Sequence, residues 1–280
     1  MPIPPNIKSL ILDMDGVLWR GDAPIGDLPA IFERIRARGL KVAFATNNGT
    51  RTPEQYVERL AGFGVKVEPW QVVTSSLVVA ELLAQRFGPI PPIPPSLIGK
   101  GGAGGLGQVF AIGGEGVMSA LREKGFTLLP VQEAEKAQAV VMGIDRQINF
   151  EKMCEAALLV RRGVPFYATN PDKTFPTPRG EIPGAGAWIA VIVTATGVQP
   201  IYAGKPAPYL LELARERLGT AKEETLVVGD RLETDIAGGQ AAGCPCALVL
   251  SGVSTREEGE TWKPKVDVIA EDLGELADGN

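Results

Sequence analysis

The chain has 280 residues, of which 45% are hydrophobic and 22% are charged, and its formal net charge at neutral pH is −5. This content is enough for one large domain or two smaller ones, and it argues against intrinsic disorder. The acidic balance argues against a nucleic-acid partner, which would need a basic face. The chain has no histidine, so histidine triads, dyads, zinc sites and phosphohistidine transfer are excluded. Acid–base chemistry must therefore fall to carboxylates, Lys, Tyr or Cys.

The sequence carries no pattern typical of secretion or of membrane insertion. Its first ten residues, MPIPPNIKSL, have no apolar signal region. Its longest apolar run, Trp188 to Val193, is too short to span a bilayer. Three cysteines are too few, and odd in number, for a disulfide framework. We therefore expect a cytoplasmic protein without a membrane partner.

The first third of the chain alternates short apolar strands with amphipathic helices. In chain order, the predicted elements are a strand at 9–13, a helix at 28–38, a strand at 41–46, a helix at 53–63, a strand at 72–75 and a helix at 77–87. Continuous apolar strands alternating with helices predict an α/β fold, with a parallel sheet covered on both faces.

The same alternation continues through the rest of the chain. A middle segment has predicted strands at 109–112, 139–143 and 165–169, with helices at 116–124 and 150–162. The last third has predicted strands at 200–203, 225–229, 246–250 and 267–270, with helices at 208–218 and 234–242. Residues 88–107, Pro-rich and then Gly-rich, predict an exposed, mobile insertion. Their G-x-G-x-x-G match at 99–104 lacks the preceding strand that a dinucleotide site needs.

Two acids, Asp13 and Asp15, follow the first predicted strand. In an open parallel sheet, ligands bind outside the carboxyl ends of the strands. One carboxylate can attack phosphorus and hold a metal, while the other gives a proton to the leaving oxygen and later activates water. The same Asp-x-Asp-Gly stretch also fits a simple turn, because Asp and Gly are turn formers.

Two further predicted strand ends carry groups suited to phosphate. Thr46, Asn47 and Asn48 offer a hydroxyl and backbone N–H groups, although Asn-Asn-Gly is also an ordinary turn. Lys205 follows the apolar residues IYA and offers a positive charge, although single lysines are more commonly solvated surface residues.

A fourth strand end, after TLVVG, carries Asp230 and, one helical turn later, Asp235. Asp230 could ligate Mg²⁺, which prefers few carboxylates together with water and substrate phosphate. Asp235 could orient Lys205 or a metal-bound water. Four strand ends of one sheet would then carry the groups that phosphoryl transfer needs.

These motifs resemble a known superfamily. The superfamily is that of the haloacid dehalogenase-like hydrolases. Four stretches of this chain look like its four signature motifs: Asp13-x-Asp15-Gly16, Thr46-Asn47-Asn48, Gly204-Lys205-Pro206 and Gly229-Asp230-x(4)-Asp235. The stretches DMDGVLWRGD, FATNNGTRTPEQY, YATNPDKTFPT, PGAGA and GDRLETDI resemble its subfamily IIA, the branch of 4-nitrophenylphosphatases, phosphoglycolate phosphatases and nucleotide monophosphatases. The chain departs from this branch at residues 88–107.

The resemblance implies a Rossmann-like doubly wound parallel sheet core with a smaller inserted α/β cap domain. Because the long interval between motifs lies between Thr46 and Lys205, we expect the cap at residues 78–183 and the core at residues 1–77 and 184–280. Family members with such caps act on small substrates, and caps of this kind often pair. We therefore expect a small phosphorylated metabolite as the binding partner and a possible homodimer through the cap.

The resemblance also implies a role for each site residue. Asp13 would be the nucleophile and a Mg²⁺ ligand, and Asp15 the general acid–base that lends its carbonyl to the metal. Thr46, Asn47 and the adjoining Asn48 would bind the phosphoryl group, and Lys205 would neutralise its charge. The metal site would be completed by Asp230, with Asp235 nearby. Asn170 or Asp172 would approach the substrate, unless Asn-Pro-Asp is only a turn.

The implied reaction is Mg²⁺-dependent hydrolysis of small phosphate monoesters through an aspartyl phosphate. Substrates of the 4-nitrophenyl phosphate, phosphoglycolate or nucleotide monophosphate type fit this expectation. A phosphotransferase or phosphomutase on the same core, or an inactive small-molecule-binding homologue, are the alternatives.

Overall fold

The computed structural model describes residues 3–88, 106–177 and 179–278. Most of the predicted Pro- and Gly-rich insertion, and all of its G-x-G-x-x-G match, lie outside these described residues. Two compact units are formed. The first comprises Met1–Asn47, Pro53–Thr74 and Gly204–Asn280, and the second comprises Asn48–Thr52 and Ser75–Ala203.

Strands and helices alternate along most of the described chain. The strands are β1 (Ser9–Leu12), β2 (Trp19–Arg20), β3 (Ala23–Pro24), β4 (Lys41–Thr46), β5 (Val72–Thr74), β6 (Gly107–Ile112), β7 (Phe126–Leu128), β8 (Ala139–Met142), β9 (Phe166–Ala168), β10 (Thr174–Thr177), β11 (Gly180–Pro183), β12 (Ile201–Tyr202), β13 (Thr225–Gly229), β14 (Cys246–Val249) and β15 (Val268–Ala270). The helices are α1 (Leu28–Ala37), α2 (Pro53–Gly62), α3 (Ser75–Phe87), α4 (Glu115–Glu123), α5 (Phe150–Arg161), α6 (Ala185–Thr196), α7 (Tyr209–Leu218), α8 (Ala237–Ala241), α9 (Arg256–Thr261) and α10 (Leu273–Asp278).

The first unit is built on a parallel sheet in the order β15-β14-β13-β1-β4-β5. This is the doubly wound order, in which the chain winds outward from β1 in one direction and later returns to β1's other side. β1 and β13 are buried along their whole length, as apolar strands covered on both faces are. The reversal of strand order opens a crevice at the carboxyl ends of β1 and β13, where ligands bind in such folds.

The second unit has its own parallel sheet, in the order β12-β9-β8-β6-β7. Its core contains Phe110 and Val140 from the sheet and Ile189 from α6. The second unit therefore extends to Ala203, whereas the sequence places the end of the cap at residue 183. The difference arises because α6 buries Ile189 and Ile192 in this core and β12 pairs with β9.

The prediction that four strand ends of one sheet carry the polar groups is wrong for Lys205. The strand that precedes it, β12, belongs to the five-stranded sheet of the second unit. The other three strands, β1, β4 and β13, are neighbours in the six-stranded sheet, as expected. Lys205 reaches the first unit because the chain passes into it at Gly204.

None of the helices among the described residues has both the length and the apolar character needed to cross a membrane.

Candidate functional site

The carboxyl ends of β1 and β13 bring two acids together. Leu12 lies opposite Val228 in the sheet, and the Asp13 N–H donates to the Val228 carbonyl at 2.9 Å. Asp13 follows β1 directly, and Asp230 follows β13. With Asp235 they form a cluster in which one carboxylate oxygen of each residue lies within 4.8 Å of the others.

Lys205 is the cation of this cluster, and its side chain is only 2% exposed. Its Nζ lies 2.5 Å from Asp13 Oδ1 and 2.6 Å from Asp235 Oδ1, and it donates to the Ala45 carbonyl at 2.9 Å. An ammonium group has three donors, and these three acceptors match that number. The side chain is thus fixed beside Asp13 rather than solvated.

Asn47 holds the main chain of Lys205 in place. Its Nδ2 donates to the Lys205 carbonyl at 2.9 Å, and its Oδ1 accepts from the Lys205 N–H at 2.7 Å. The sequence predicts that Asn47 binds phosphate. The structure shows in addition that its side chain holds the main chain of Lys205, which lies 158 residues further along the chain. Thr46, which precedes Asn47, is the last residue of β4 and is 2% exposed.

Asp230 is held by a loop that the sequence analysis missed, residues 251–254. Its Oδ2 accepts from the Val253 N–H at 2.8 Å, and its carbonyl accepts from the Ser254 N–H at 2.9 Å. A Cβ on Gly252 would lie 1.9 Å from Asp230 Oδ2, and one on Gly16 would lie 2.4 Å from it. The loop follows β14, so it too stands at a strand end of this sheet, and that position is the signal that could have revealed it.

Asp235 lies in a π-helical turn, Leu232–Ile236, which begins two residues after Asp230. Both of its carboxylate oxygens have partners, because Oδ1 pairs with Lys205 and Oδ2 accepts from the Arg231 N–H at 3.0 Å. This arrangement suits a residue that orients Lys205.

Asp15 follows Asp13 by two residues and is exposed, unlike Asp13, and its carboxylate is not part of the cluster of three acids. Its Oδ1 accepts from the indole N–H of Trp19 at 2.8 Å. An exposed carboxylate two residues after the partly buried one can exchange protons with substrate and water.

The remaining predicted ligands, Asn48, Asn170 and Asp172, belong to the second unit. Asn48 Oδ1 accepts from Thr50 Oγ1 at 2.6 Å and from the Thr50 N–H at 3.2 Å. Asn170 Oδ1 accepts from Thr169 Oγ1 at 2.7 Å, and its Nδ2 donates to Asp172 Oδ2 at 2.8 Å. These bonds order both loops, and a role of the three residues in substrate binding stays a prediction.

The cluster shifts the pKa values of its members. Burial raises the pKa of Asp13 well above its usual range, against the opposing effect of Lys205, and the carboxylates of Asp235 and Asp230 raise it further. Burial, followed by the charge of Asp235, raises the pKa of Asp230 to about 7. Burial by itself would lower the pKa of Lys205, but the charges of Asp13 and Asp235 outweigh it and raise that pKa. Lys205 therefore stays protonated, while the carboxylates are crowded.

A divalent cation would relieve this crowding. The cluster holds three carboxylates and one ammonium, which contacts Asp13 and Asp235, so two negative charges remain uncompensated when all the acids are ionised. Oxygen ligands of this kind are those that Mg²⁺ and Ca²⁺ bind. The residues thus fit a hard divalent cation, which Asp13 and Asp230 could hold through their carboxylates.

We expect the affinity for Mg²⁺ to decrease as the pH is lowered, because a carboxylate must lose its proton to bind a metal. Below pH 7, protonation of Asp230 should weaken the apparent affinity by about tenfold per pH unit. In the metal-free protein, the contribution of Asp230 to stability is fully present below its unfolded-state pKa of about 3.9 and is lost as the pH rises through about 7. The rise in melting temperature on adding Mg²⁺ should therefore be larger at pH 8 than at pH 6. Equal rises at both pH values would contradict this site.

Replacement of Gly252 by alanine should weaken Mg²⁺ binding by roughly 10–100-fold, because the new methyl group would displace the Asp230 carboxylate. Gly62→Ala is the matched control, since a Cβ there meets nothing within 4 Å. Calorimetric titration of both variants with Mg²⁺ checks the prediction. An unchanged affinity in Gly252→Ala would show that Asp230 does not need this loop.

Comparison with known proteins identifies the family to which the chain is similar. The model of the haloacid dehalogenase-like hydrolase family matches residues 10–127, and a second model, described as HAD-hydrolase-like, matches residues 202–276. A 5′-nucleotidase of Bacillus subtilis is 37% identical over 250 residues, which cover 89% of this chain and 90% of the relative.

Two solved structures have closely similar folds. The 4-nitrophenylphosphatase of Thermotoga maritima has a TM-score of 0.85 at 32% identity, and the match covers 98% of this chain and 97% of that protein's chain. The glycerol phosphate phosphatase of Mycobacterium tuberculosis, solved in complex with magnesium, has a TM-score of 0.84 at 33% identity. The match covers 97% of this chain and 76% of that protein's chain. The identity and coverage of these matches, together with the family models, show that the chain belongs to the haloacid dehalogenase-like hydrolases.

Proposed function

We propose that this protein hydrolyses small phosphate monoesters in a Mg²⁺-dependent reaction that passes through an aspartyl phosphate on Asp13. The observation that carries the proposal is the placement of Asp13 at the end of β1, where Lys205 fixes one of its oxygens at 2.5 Å among two further carboxylates. A nucleophilic carboxylate needs such compensation to approach a phosphate dianion, because unscreened like charges repel strongly in a site of low dielectric constant.

The reaction would run in two displacements. An oxygen of Asp13 bonds to phosphorus as the bond to the leaving oxygen breaks, and a proton moves from Asp15 to that oxygen. Water then bonds to phosphorus as the bond to Asp13 breaks, and Asp15 takes the proton of the water. The products are an alcohol and inorganic phosphate.

The other residues would position the phosphoryl group and stabilise its charge. Lys205 supplies a fixed positive charge beside Asp13, and Thr46 with Asn47 would bind the phosphoryl oxygens. Asp235 keeps Lys205 oriented through their 2.6 Å contact. When bound by Asp13, Asp230 and the Asp15 carbonyl, Mg²⁺ would supply electrophilic stabilisation of the transferring phosphoryl group.

Relatives in this family are named for different small phosphate esters, including nucleotides, 4-nitrophenyl phosphate and glycerol phosphate. We propose the same class of substrate for this chain. Assembly into a homodimer through the second unit stays a prediction, which a sedimentation measurement would check.

The test is phosphate release from a panel of esters by the full chain. We expect release from 4-nitrophenyl phosphate, glycerol phosphate and a nucleoside monophosphate, loss of activity in EDTA, and recovery with added Mg²⁺. Formation of a sugar phosphate from an added sugar acceptor, without release of inorganic phosphate in its absence, would favour a phosphotransferase. No release from any ester, with or without an acceptor, would leave the inactive binding homologue.

A further inference from the structure

Trp19 makes a directed contact with the carboxylate of Asp15. Its indole Nε1 lies 2.8 Å from Asp15 Oδ1, and its side chain is fully buried. The backbone fixes the pair as well, because the Gly16 N–H donates to the Trp19 carbonyl at 2.8 Å and residues 15 and 19 form a β-bridge. The exposed Asp15 carboxylate is thus held at Oδ1 by a hydrogen bond from the buried Trp19 indole ring.

The indole ring is itself held in place by its neighbours. The guanidinium carbon of Arg59 lies 4.3 Å from the ring centroid, a cation–π distance, and the Phe63 ring lies 5.8 Å away. Arg59 also donates to the Gly21 carbonyl, in the turn between β2 and β3. The hairpin that carries Trp19 is therefore fastened to α2.

The chemistry of indole gives the two oxygens of Asp15 different tasks. An indole N–H can only donate a hydrogen bond, so Oδ1 must accept it whether the carboxyl group is neutral or ionised. A proton carried by Asp15 is therefore favoured on Oδ2, because the unprotonated carbonyl oxygen is the better acceptor for the indole N–H. A donor that could also accept, such as a hydroxyl, would impose no such choice.

We propose that Trp19 is a positioning residue for Asp15, which holds Oδ1 so that Oδ2 exchanges the proton with the substrate. The inference rests on the proposed phosphatase function. In the first displacement the proton of Oδ2 passes to the leaving oxygen as its bond to phosphorus breaks. In the second, Oδ2 takes the proton of the attacking water, which restores the carboxyl group.

The test compares two esters whose leaving groups differ in their need for a proton. A nitrophenolate leaves readily as an anion, whereas the alkoxide of glycerol phosphate must be protonated. In Trp19→Phe, which removes the donor and keeps an aromatic ring, kcat/KM for glycerol phosphate should fall roughly 10–100-fold. The fall for 4-nitrophenyl phosphate should stay below about threefold. Asp15→Asn should produce the same pattern with a larger amplitude.

Two further variants separate positioning from a structural effect. Trp262→Phe removes an indole bond of the same kind, to Gln240 Oε1 at 3.1 Å, and should leave the ratio of the two constants unchanged. Site-specific replacement of Trp19 by benzothienylalanine keeps the fused rings and exchanges the N–H for sulfur, so it tests the bond even if Trp19→Phe fails to fold. This variant should show the same selective loss.

Equal losses for both esters in the benzothienylalanine variant, or no loss for either, would overturn the role of Trp19 while the wild type hydrolyses both. If the wild type hydrolyses no ester of the panel, the proposed function itself fails, which is a distinguishable result. If glycerol phosphate is not a substrate, the nucleoside monophosphate, whose alkoxide also needs a proton, takes its place in the comparison.

Discussion

Replacement of Asp13 by asparagine should reduce phosphate release by about 10⁴-fold or more, because the amide has the shape of the carboxylate but cannot attack phosphorus. The fold should persist, since Lys205 keeps Asp235 and the Ala45 carbonyl as partners. Removal of one of three crowded carboxylates also relieves repulsion within the cluster. Turnover of 4-nitrophenyl phosphate, with melting temperature measured in parallel, checks both expectations.

Asp278→Asn is the control for this change. Asp278 pairs with Arg34 at the surface, and its side chain is 48% exposed. Its replacement should leave turnover unchanged. Retention of more than a small fraction of wild-type turnover in Asp13→Asn would end the assignment of Asp13 as nucleophile.

Replacement of Lys205 by methionine should impair both catalysis and stability. Methionine keeps an unbranched chain but removes the charge that compensates Asp13 and Asp235. Loss of one partner from a buried ion pair costs about 3–5 kcal/mol of unfolding free energy, because the other charge stays buried and unpaired. Turnover should fall by about 10²–10³-fold, as for the removal of one electrostatic stabiliser. Denaturant unfolding in EDTA measures the stability change without a contribution from bound metal.

Lys8→Met is the matched control. Lys8 also makes a 2.5 Å ion pair, with Glu224, but its side chain is 65% exposed. Solvent screens such a pair, so its loss should change stability and turnover little. If both lysine variants lost the same stability, burial of the Lys205 cluster would not be the cause.

The sequence predicts well those parts of the fold that local pattern determines. The bounds of β4 and β13 agree with prediction, because both are continuous apolar runs with a polar residue on either side. The run from Trp188 to Val193 lies within α6, but a short apolar run alone does not distinguish a buried helix from a strand. The partner of β12 is also a long-range property, so the two residues of that strand do not reveal which sheet they join.

The candidate site shows the same division. Asp13, Lys205, Asp230 and Asp235 could be predicted because each stands at or near a motif with recognisable chemistry, and the structure brings them together. The bonds that hold them could not be predicted in this way. Asn47 braces a lysine far along the chain, and Trp19 looks like an ordinary core residue until its indole N–H is seen to reach Asp15.

The most direct test of Asp13 as nucleophile is chemical trapping of the aspartyl phosphate. The full chain would be mixed with 4-nitrophenyl phosphate and Mg²⁺, quenched in acid during turnover and treated with borohydride, which reduces an acyl phosphate to an alcohol. Peptide mass spectrometry should then find homoserine in place of Asp13 and nowhere else. Homoserine in place of Asp15 or Asp230, or none at any aspartate despite rapid turnover, would contradict the account.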